Sequence, residues 1–174
     1  IRPRPWLYSS LGLVVNLLRS VPFIILLVAL LPFTRIIVGT TLGSTATIVP
    51  LVVAAAPFVG RMVESSIKEV PLGVIEAARA MGTSDIRLIF KVLVPEARPS
   101  LIVGCAIAVT TILGYTAMAG FVGGGGLGAI AINYGYYRYN TQIMLVTVAL
   151  MVAVVQLLQE IGMRFARMTD KRAK

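Results

Sequence analysis

Apolar residues run along this chain in four long stretches separated by polar breaks. Each approaches the length of a membrane-crossing helix, about 20 mostly apolar residues. The first runs from Tyr8 to Phe33, with Arg19 as its only charge. The second lies between Arg35 and Arg61 and is rich in Val and Ala. The third begins after Arg98 and reads as a span from Leu101 to Phe121, where a glycine run cuts it off. The fourth runs from Thr141 to Gln159. The pattern predicts an all-α membrane protein with four transmembrane helices, one domain over 1–174. The first residue is Ile rather than Met, so the chain is expected to have lost its beginning.

Composition agrees with a bilayer as solvent. Hydrophobic residues make up 57% and charged residues 13%, about half the soluble norm of roughly 25%. Mean hydropathy is +0.90. A soluble globule of this composition would expose large apolar patches, and a disordered chain needs the opposite balance. Histidine is absent, which removes a Ser-His-Asp triad and imidazole ligands. The single cysteine, Cys105, allows neither an internal disulfide nor a CxxC zinc site. It sits in an apolar run and is expected to be a buried, inert thiol. The seven carboxylates are scattered and form no magnesium or calcium cluster. No catalytic residue, cofactor or metal is expected.

Charge sets the orientation. The chain carries 16 Lys and Arg against 7 acids, a net charge of +9. Such a balance suggests nucleic acid in a soluble domain, but here the cations lie between the apolar stretches. Arg2 and Arg4 precede the first span; Arg61, Lys68, Arg79, Arg87, Lys91 and Arg98 lie between the second and third; Arg164, Arg167, Lys171, Arg172 and Lys174 follow the last. Four spans put all three groups on one side and only Arg35 and Arg138 on the other. Cytoplasmic segments are enriched in Lys and Arg, so the N-terminus, the 61–100 loop and the C-terminus are expected to be cytoplasmic.

That loop is punctuated like two short helices. Pro71 suits a first helical turn, and a helical run follows from Leu72 to Met81. Gly82 suits a helix end because it can take a positive φ. Thr83 or Ser84 can cap a second helix with Asp85 in its first turn, and Pro95 is expected to stop it. Leu72, Ile75, Ala78 and Met81 recur at three-residue spacing as an apolar stripe. Glu76 and Arg79 are spaced to pair on the surface. The small residues Ala77, Ala78 and Ala80 admit a close neighbour. Two readings fit: a helix laid in a partner's groove, or one resting on the lipid interface.

Glu76-Ala77-Ala78-Arg79-Ala80-Met81-Gly82, followed by Val92-Leu93-Val94-Pro95, resembles the EAA loop of ABC importer permeases. The Glu, both Ala, the Gly and the Pro match at the family's spacing; Val92 and Val94 stand where the family has Ile and Leu. Arg19-Ser20-Val21-Pro22-Phe23, Pro32-Phe33-Thr34-Arg35, Ala56-Pro57-Phe58 and Gly114-Tyr115-Thr116-Ala117-Met118 resemble the methionine-importer branch of that family. The resemblance implies a type I importer fold of five spans, the first lying upstream of Ile1. It implies a second copy of the permease, two ATPase subunits, a substrate-binding lipoprotein or periplasmic protein, and methionine as the small-molecule cargo, in the lipid of a bacterial inner membrane. Nucleic acid is not implied. The Leu72–Met81 helix would be the coupling helix, with Glu76, Ala77, Ala78, Arg79, Met81, Gly82 and Pro95 as the contact to the ATPase. Glu76 would position rather than catalyse. Hydrolysis would occur on the ATPase chain, because no GxxxxGK[ST] motif occurs here.

Four residues are candidates for the pathway or its gate. Asn16 and Arg19 are polar within the first span, where an intramembrane charge is a functional candidate; Arg19 near the inner end can equally snorkel. Tyr115 and Met118 lie at the outer end of the third span, and Met118 is either a flexible gate or ordinary packing. Gly123, Gly125 and Gly128 form a formal GxGxxG, but no strand precedes it and no acid follows until Glu160. A packed outer turn fits better. The four-residue spacing of Gly120, Gly124 and Gly128, and of Gly39 and Gly43, suits close backbone packing. Pro22, Pro50 and Pro57 are expected to kink or break spans. Two rival classes are an ATP-independent channel or secondary transporter, and a membrane-embedded enzyme. Apart from Arg19, the ionisable mid-membrane groups of the first are not evident, and neither are the paired carboxylates of the second. Another small amino acid or derivative remains an alternative cargo.

Overall fold

The structure is a computed structural model that describes residues 5–169. Arg2, Arg4, Lys171, Arg172 and Lys174 lie outside the described residues. Every regular element among the described residues is helical. In order they are α1 (Pro5–Ser20), α2 (Phe23–Ala29), α3 (Leu31–Val38), α4 (Ser44–Lys68), α5 (Leu72–Ala80) and α6 (Asp85–Leu88). After α6 come a π-helical segment (Ile89–Leu93), α7 (Val94–Glu96), α8 (Arg98–Met118) and a 3-10 turn (Ala119–Val122). Last come α9 (Gly126–Ile130), a second π-helical segment (Ala131–Tyr136) and α10 (Thr141–Thr169). Three of these, α4, α8 with its 3-10 extension, and α10, are long and apolar enough to cross a membrane. α8 packs against both others.

The first apolar stretch is not one helix. α1 and α2 meet at a bend of 103°. Pro22 causes it: the ring removes the N–H donor and clashes with the preceding turn, and Pro22 caps α2 with an extended ψ of 135°. Pro50 and Pro57 behave differently. Both are buried inside α4, which continues without a break. α4 also runs beyond Arg61, where the second span was expected to end, and reaches Lys68.

Two small cores hold the helices together. At one end Phe23, Leu27 and Ala119 are buried with Leu51, Ala54, Tyr115 and Val122 packed around them. At the other, Val70, Ala78, Leu88, Leu93 and Ala97 form a second core. That end gathers the C-terminal ends of α4 and α10 and the N-terminal end of α8, so it carries the basic residues from Arg61 to Arg98 and Arg164 to Arg167. The rest of α10 exposes Leu145, Val146, Leu150, Val152 and Leu157, as a lipid-facing or partner-facing helix does.

Glycine spacing divides into two kinds. Gly120 and Gly128 are buried where the chain folds back after α8. A Cβ on Gly120 would meet Ala129 N at 2.6 Å, and one on Gly124 would meet Ala119 O at 2.8 Å. Close packing is therefore what this run does. Gly39 and Gly43 serve turns: no atom lies within 4 Å of either Cβ position and both take positive φ, although Gly43 N also donates to Val122 O at 3.3 Å. Cys105 also departs from expectation. It is exposed on α8, because its face of the helix points away from both neighbours.

Gly128→Ala and Gly114→Ala test this packing. A Cβ at Gly128 would press on the Ala117 backbone, whose Cα lies at 2.6 Å, whereas nothing lies within 4 Å at Gly114. Thermal unfolding in detergent is expected to register a loss of about 1–3 kcal/mol for Gly128→Ala. For Gly114→Ala it is expected to register no loss, or a gain of up to about 1 kcal/mol.

Candidate functional site

The loop at the basic end is built from α5 outward. Pro71 precedes α5 as its N-cap, with φ −58° and ψ 136°, one position earlier than the first-turn place its chemistry also suits. At the other end the chain closes a Schellman motif. Thr83 N donates to Ala78 O at 3.2 Å, and Gly82 N donates to Arg79 O at 2.9 Å. This closure requires the left-handed region at Gly82, whose φ is +74°. Ser84 takes the cap position of α6 with extended ψ, although its hydroxyl makes no cap hydrogen bond. Leu88 N donates to Ser84 O at 2.8 Å, and Asp85 lies in the first turn.

Pro95 does not stop the second helix. The π-helical segment Ile89–Leu93 comes just before it, and α7 carries Pro95 in its first turn. A wider π turn shifts the hydrogen-bond register, so the missing proline donor falls where no regular partner is lost. Ala97 N then donates to Leu93 O, and Leu101 N to Ala97 O, each at 2.9 Å. The loop thus runs into the root of α8 as a nearly unbroken helical path.

The four-residue apolar stripe of α5 does not face one way. Ala78 is buried and Ile75 half-buried, whereas Leu72 and Met81 are 74% and 79% exposed. Three-residue spacing falls about 60° short of a full turn at each step, so four positions sweep about half the helix surface. Ala78 faces the core of Val70, Leu88, Leu93 and Ala97. Glu76, Ala77, Arg79 and Met81 are exposed on the remaining surface. Glu76 and Arg79 form no ion pair among the described residues. Acid–base pairing at this end lies on α4, where Glu64 accepts from Arg61 at 2.8 Å and from Lys68 at 2.7 Å, and on α10, where Glu160 accepts from Arg164 at 2.8 Å.

The pathway candidates fall in two places. Asn16 on α1 accepts a hydrogen bond from Arg61 Nη2 at 3.2 Å through its Oδ1. Arg19 is exposed in the last turn of the same helix. Tyr115 is half-buried at the far end of the molecule, its ring stacked on Phe23 with centroids 4.6 Å apart and planes at 10°. Met118, one turn on, is 44% exposed. Arg61 was assigned only a boundary role by sequence, yet it joins α1 to α4. Its three-residue spacing from Glu64, and Glu64's four-residue spacing from Lys68, is the signal that marks it as a helical ion-pair network. Phe23 had no sequence signal beyond its apolarity. No group of three or more Cys, Asp or Glu that could hold a metal occurs among the described residues.

Comparison with known proteins covers the whole chain. Residues 1–174 match the family model for the binding-protein-dependent transport system inner membrane component. The chain is 51% identical over 166 residues to a probable D-methionine transport system permease protein, MetI, of Vibrio cholerae, covering 95% of this chain and 74% of that one. It is 43% identical over 164 residues to the methionine import system permease protein MetP of Bacillus subtilis, covering 94% and 74%. It superposes on a chain of the MetNI methionine ABC transporter, solved in inward facing conformations, with a TM-score of 0.95 and 48% identity over 98% of this chain and 79% of that one.

Ala78 and Ala77 separate the two faces of α5. Ala78→Leu overfills the core and is expected to cost about 1–3 kcal/mol, read as faster tryptic cleavage after Arg79 and Arg87. Ala77→Leu is expected to stay within about 0.5 kcal/mol of the parent and to leave the cleavage rate unchanged.

Proposed function

The chain belongs to the family of inner membrane components of binding-protein-dependent transport systems, and we propose on that premise that it forms the translocation pathway of a methionine importer driven by a separate ATPase. It has no catalytic centre of its own. The observation that carries this reading is α5: a short helix held by the buried Ala78 and the half-buried Ile75, with Leu72, Glu76, Ala77 and Arg79 presented outward at the basic end of the molecule. Likeness to permeases named for D-methionine and methionine supports the cargo. The match to a MetNI chain supports a permease dimer carrying an ATPase.

In this reading two copies of the permease enclose the pathway within a bacterial inner membrane. A binding lipoprotein or periplasmic protein delivers methionine to the outer face. Two ATPase subunits take the two α5 helices. Ala77, Met81 and Leu72 provide the contact surface, and Glu76 and Arg79 orient it. Exposed ion pairs contribute only about 0–1 kcal/mol, so steric fit dominates. Gly82 sets the angle at which α5 leaves its turn, and Pro95 sits where the loop joins α8. Closure of the ATPase dimer on ATP presses α5, and the buried Ala78 contact passes that displacement to the roots of α4 and α8. The spans then rock as rigid bodies between two packings. Asn16 and Arg19 line the inner half of the path, with Arg61 holding Asn16 in place. Met118 gates the outer half, its position fixed by the Tyr115 stack.

Uptake of labelled methionine into proteoliposomes of the full transporter tests this. Glu76→Lys and Gly82→Asp are each expected to lower ATPase co-purification and ATP-dependent uptake at least about 10-fold, equivalent to about 1.4 kcal/mol, while the spans unfold at the parent temperature. Full uptake with an intact complex in both variants, or full uptake without ATP, overturns the reading.

A further inference from the structure

Four tyrosines and an arginine crowd the turn that enters α10: Tyr134, Tyr136, Tyr137, Arg138 and Tyr139. The transport reading makes no use of them. All five are exposed, Tyr139 by 92%. The turn itself is fixed. Asn140 N donates to Gly135 O at 2.9 Å, Ile143 N donates to Asn140 Oδ1 at 3.2 Å, and Met144 lies close against Gly135. Tyr139 takes a φ of +52°, the one positive φ on a non-glycine residue among the described residues. Such a conformation persists when the surroundings over-determine it, and a ring this exposed offsets none of the strain by packing. Arg138 lies over the Tyr134 ring, its Cζ 4.6 Å from the centroid. That stack braces the guanidinium plane and leaves its N–H edge open. No ion pair to Arg138 forms among the described residues, and the sequence has no acid between Glu96 and Glu160. The patch is rich in donors and holds no carboxylate, so it suits an anion.

Depth narrows the partner. The apolar run Thr141–Gln159 rises about 28 Å along α10, close to the roughly 30 Å of a hydrocarbon core. The tyrosines stand just past one end of that run, and beyond them α10 exposes Leu145, Val146 and Leu150. Rings with a polar tip beside an apolar flank collect at the headgroup level of a bilayer. We propose that residues 134–139 anchor this end of α10 among phospholipid headgroups, with Arg138 donating to a lipid phosphate. In the transport reading this is the outer leaflet. The anchor itself rests on α10 crossing the membrane and not on the cargo or the ATPase. A tyrosine–arginine surface also suits a protein partner; the apolar flank that continues from it favours lipid.

Two measurements on the full transporter test this, neither of which depends on uptake. The transporter, otherwise free of thiols, is placed in nanodiscs of dioleoyl phosphatidylcholine and dioleoyl phosphatidylglycerol with a nitroxide at Tyr137→Cys or Tyr139→Cys. Relative accessibility to oxygen and to a water-soluble nickel chelate is expected to place both labels in the headgroup layer, about 5–8 Å thick. Carbon–phosphorus dipolar dephasing then reads Arg138 directly. With carbon-13 at the arginine guanidinium carbons of the permease, Arg138→Lys is expected to remove a strongly dephased signal, one that matches a Cζ–P distance of about 4–5 Å for a charge-assisted contact. The proposal is overturned if both labels show the accessibility of bulk water, if they leave water only when a substrate-binding protein is added, or if Arg138→Lys leaves the dephasing unchanged.

Discussion

Ala78 shares a core of five buried residues with Val70, Leu88, Leu93 and Ala97, and the basic end of the molecule is organised around that core. Val70 follows α4, Leu88 ends α6, Leu93 closes the π-helical segment and Ala97 caps α8. One methyl group on α5 therefore joins a core that residues beside the ends of two membrane-crossing helices also build. A larger side chain would hold α5 away from them, and a polar one would bury an unpaired group.

The backbone carries the same connection a second way. The Schellman closure at Gly82 fixes where α5 ends, and the π-helical segment lets the chain pass Pro95 into α8 without a loop. A flexible linker would absorb a push on α5, whereas a helical path transmits it. At the opposite end, rigidity comes from close backbone contact among Gly120, Gly124 and Gly128 and from the Phe23–Tyr115 stack. The bend at Pro22 places that stack within reach of both α4 and α8. In the proposed transport cycle, stiff ends and lipid-facing flanks are what allow the helices to move as units.

Much of this was legible in the residues because it follows from local chemistry. Apolar run length gave the three long spans, and glycine's tolerance of positive φ gave the end of α5 within one residue. The EAA spacing marked the exposed helix. What escaped depends on context. Pro22 breaks a helix while Pro50 and Pro57 do not, since the latter two are buried inside a helix supported on several sides. Pro95 needed a π-helical register change that no pattern of polar and apolar positions encodes. The Glu76–Arg79 pair had the right spacing but no burial to hold it. Cys105 lies in an apolar run, yet hydrophobicity alone does not tell a lipid-facing position from a core one in a membrane. Arg61 was visible as a charge but not as a link to Asn16, which lies 45 residues away.

The central claim is that α5 and the root of α8 move as one body. The exposed Cys105 and a cysteine placed at the exposed Met81 provide two spin-label sites. Pulsed electron resonance on the reconstituted transporter would then read two distances, with and without trapped ATP. The account predicts a constant Met81–Cys105 distance within one copy and a changed Met81–Met81 distance between copies. A changed distance within the copy, with a constant one between copies, would contradict it.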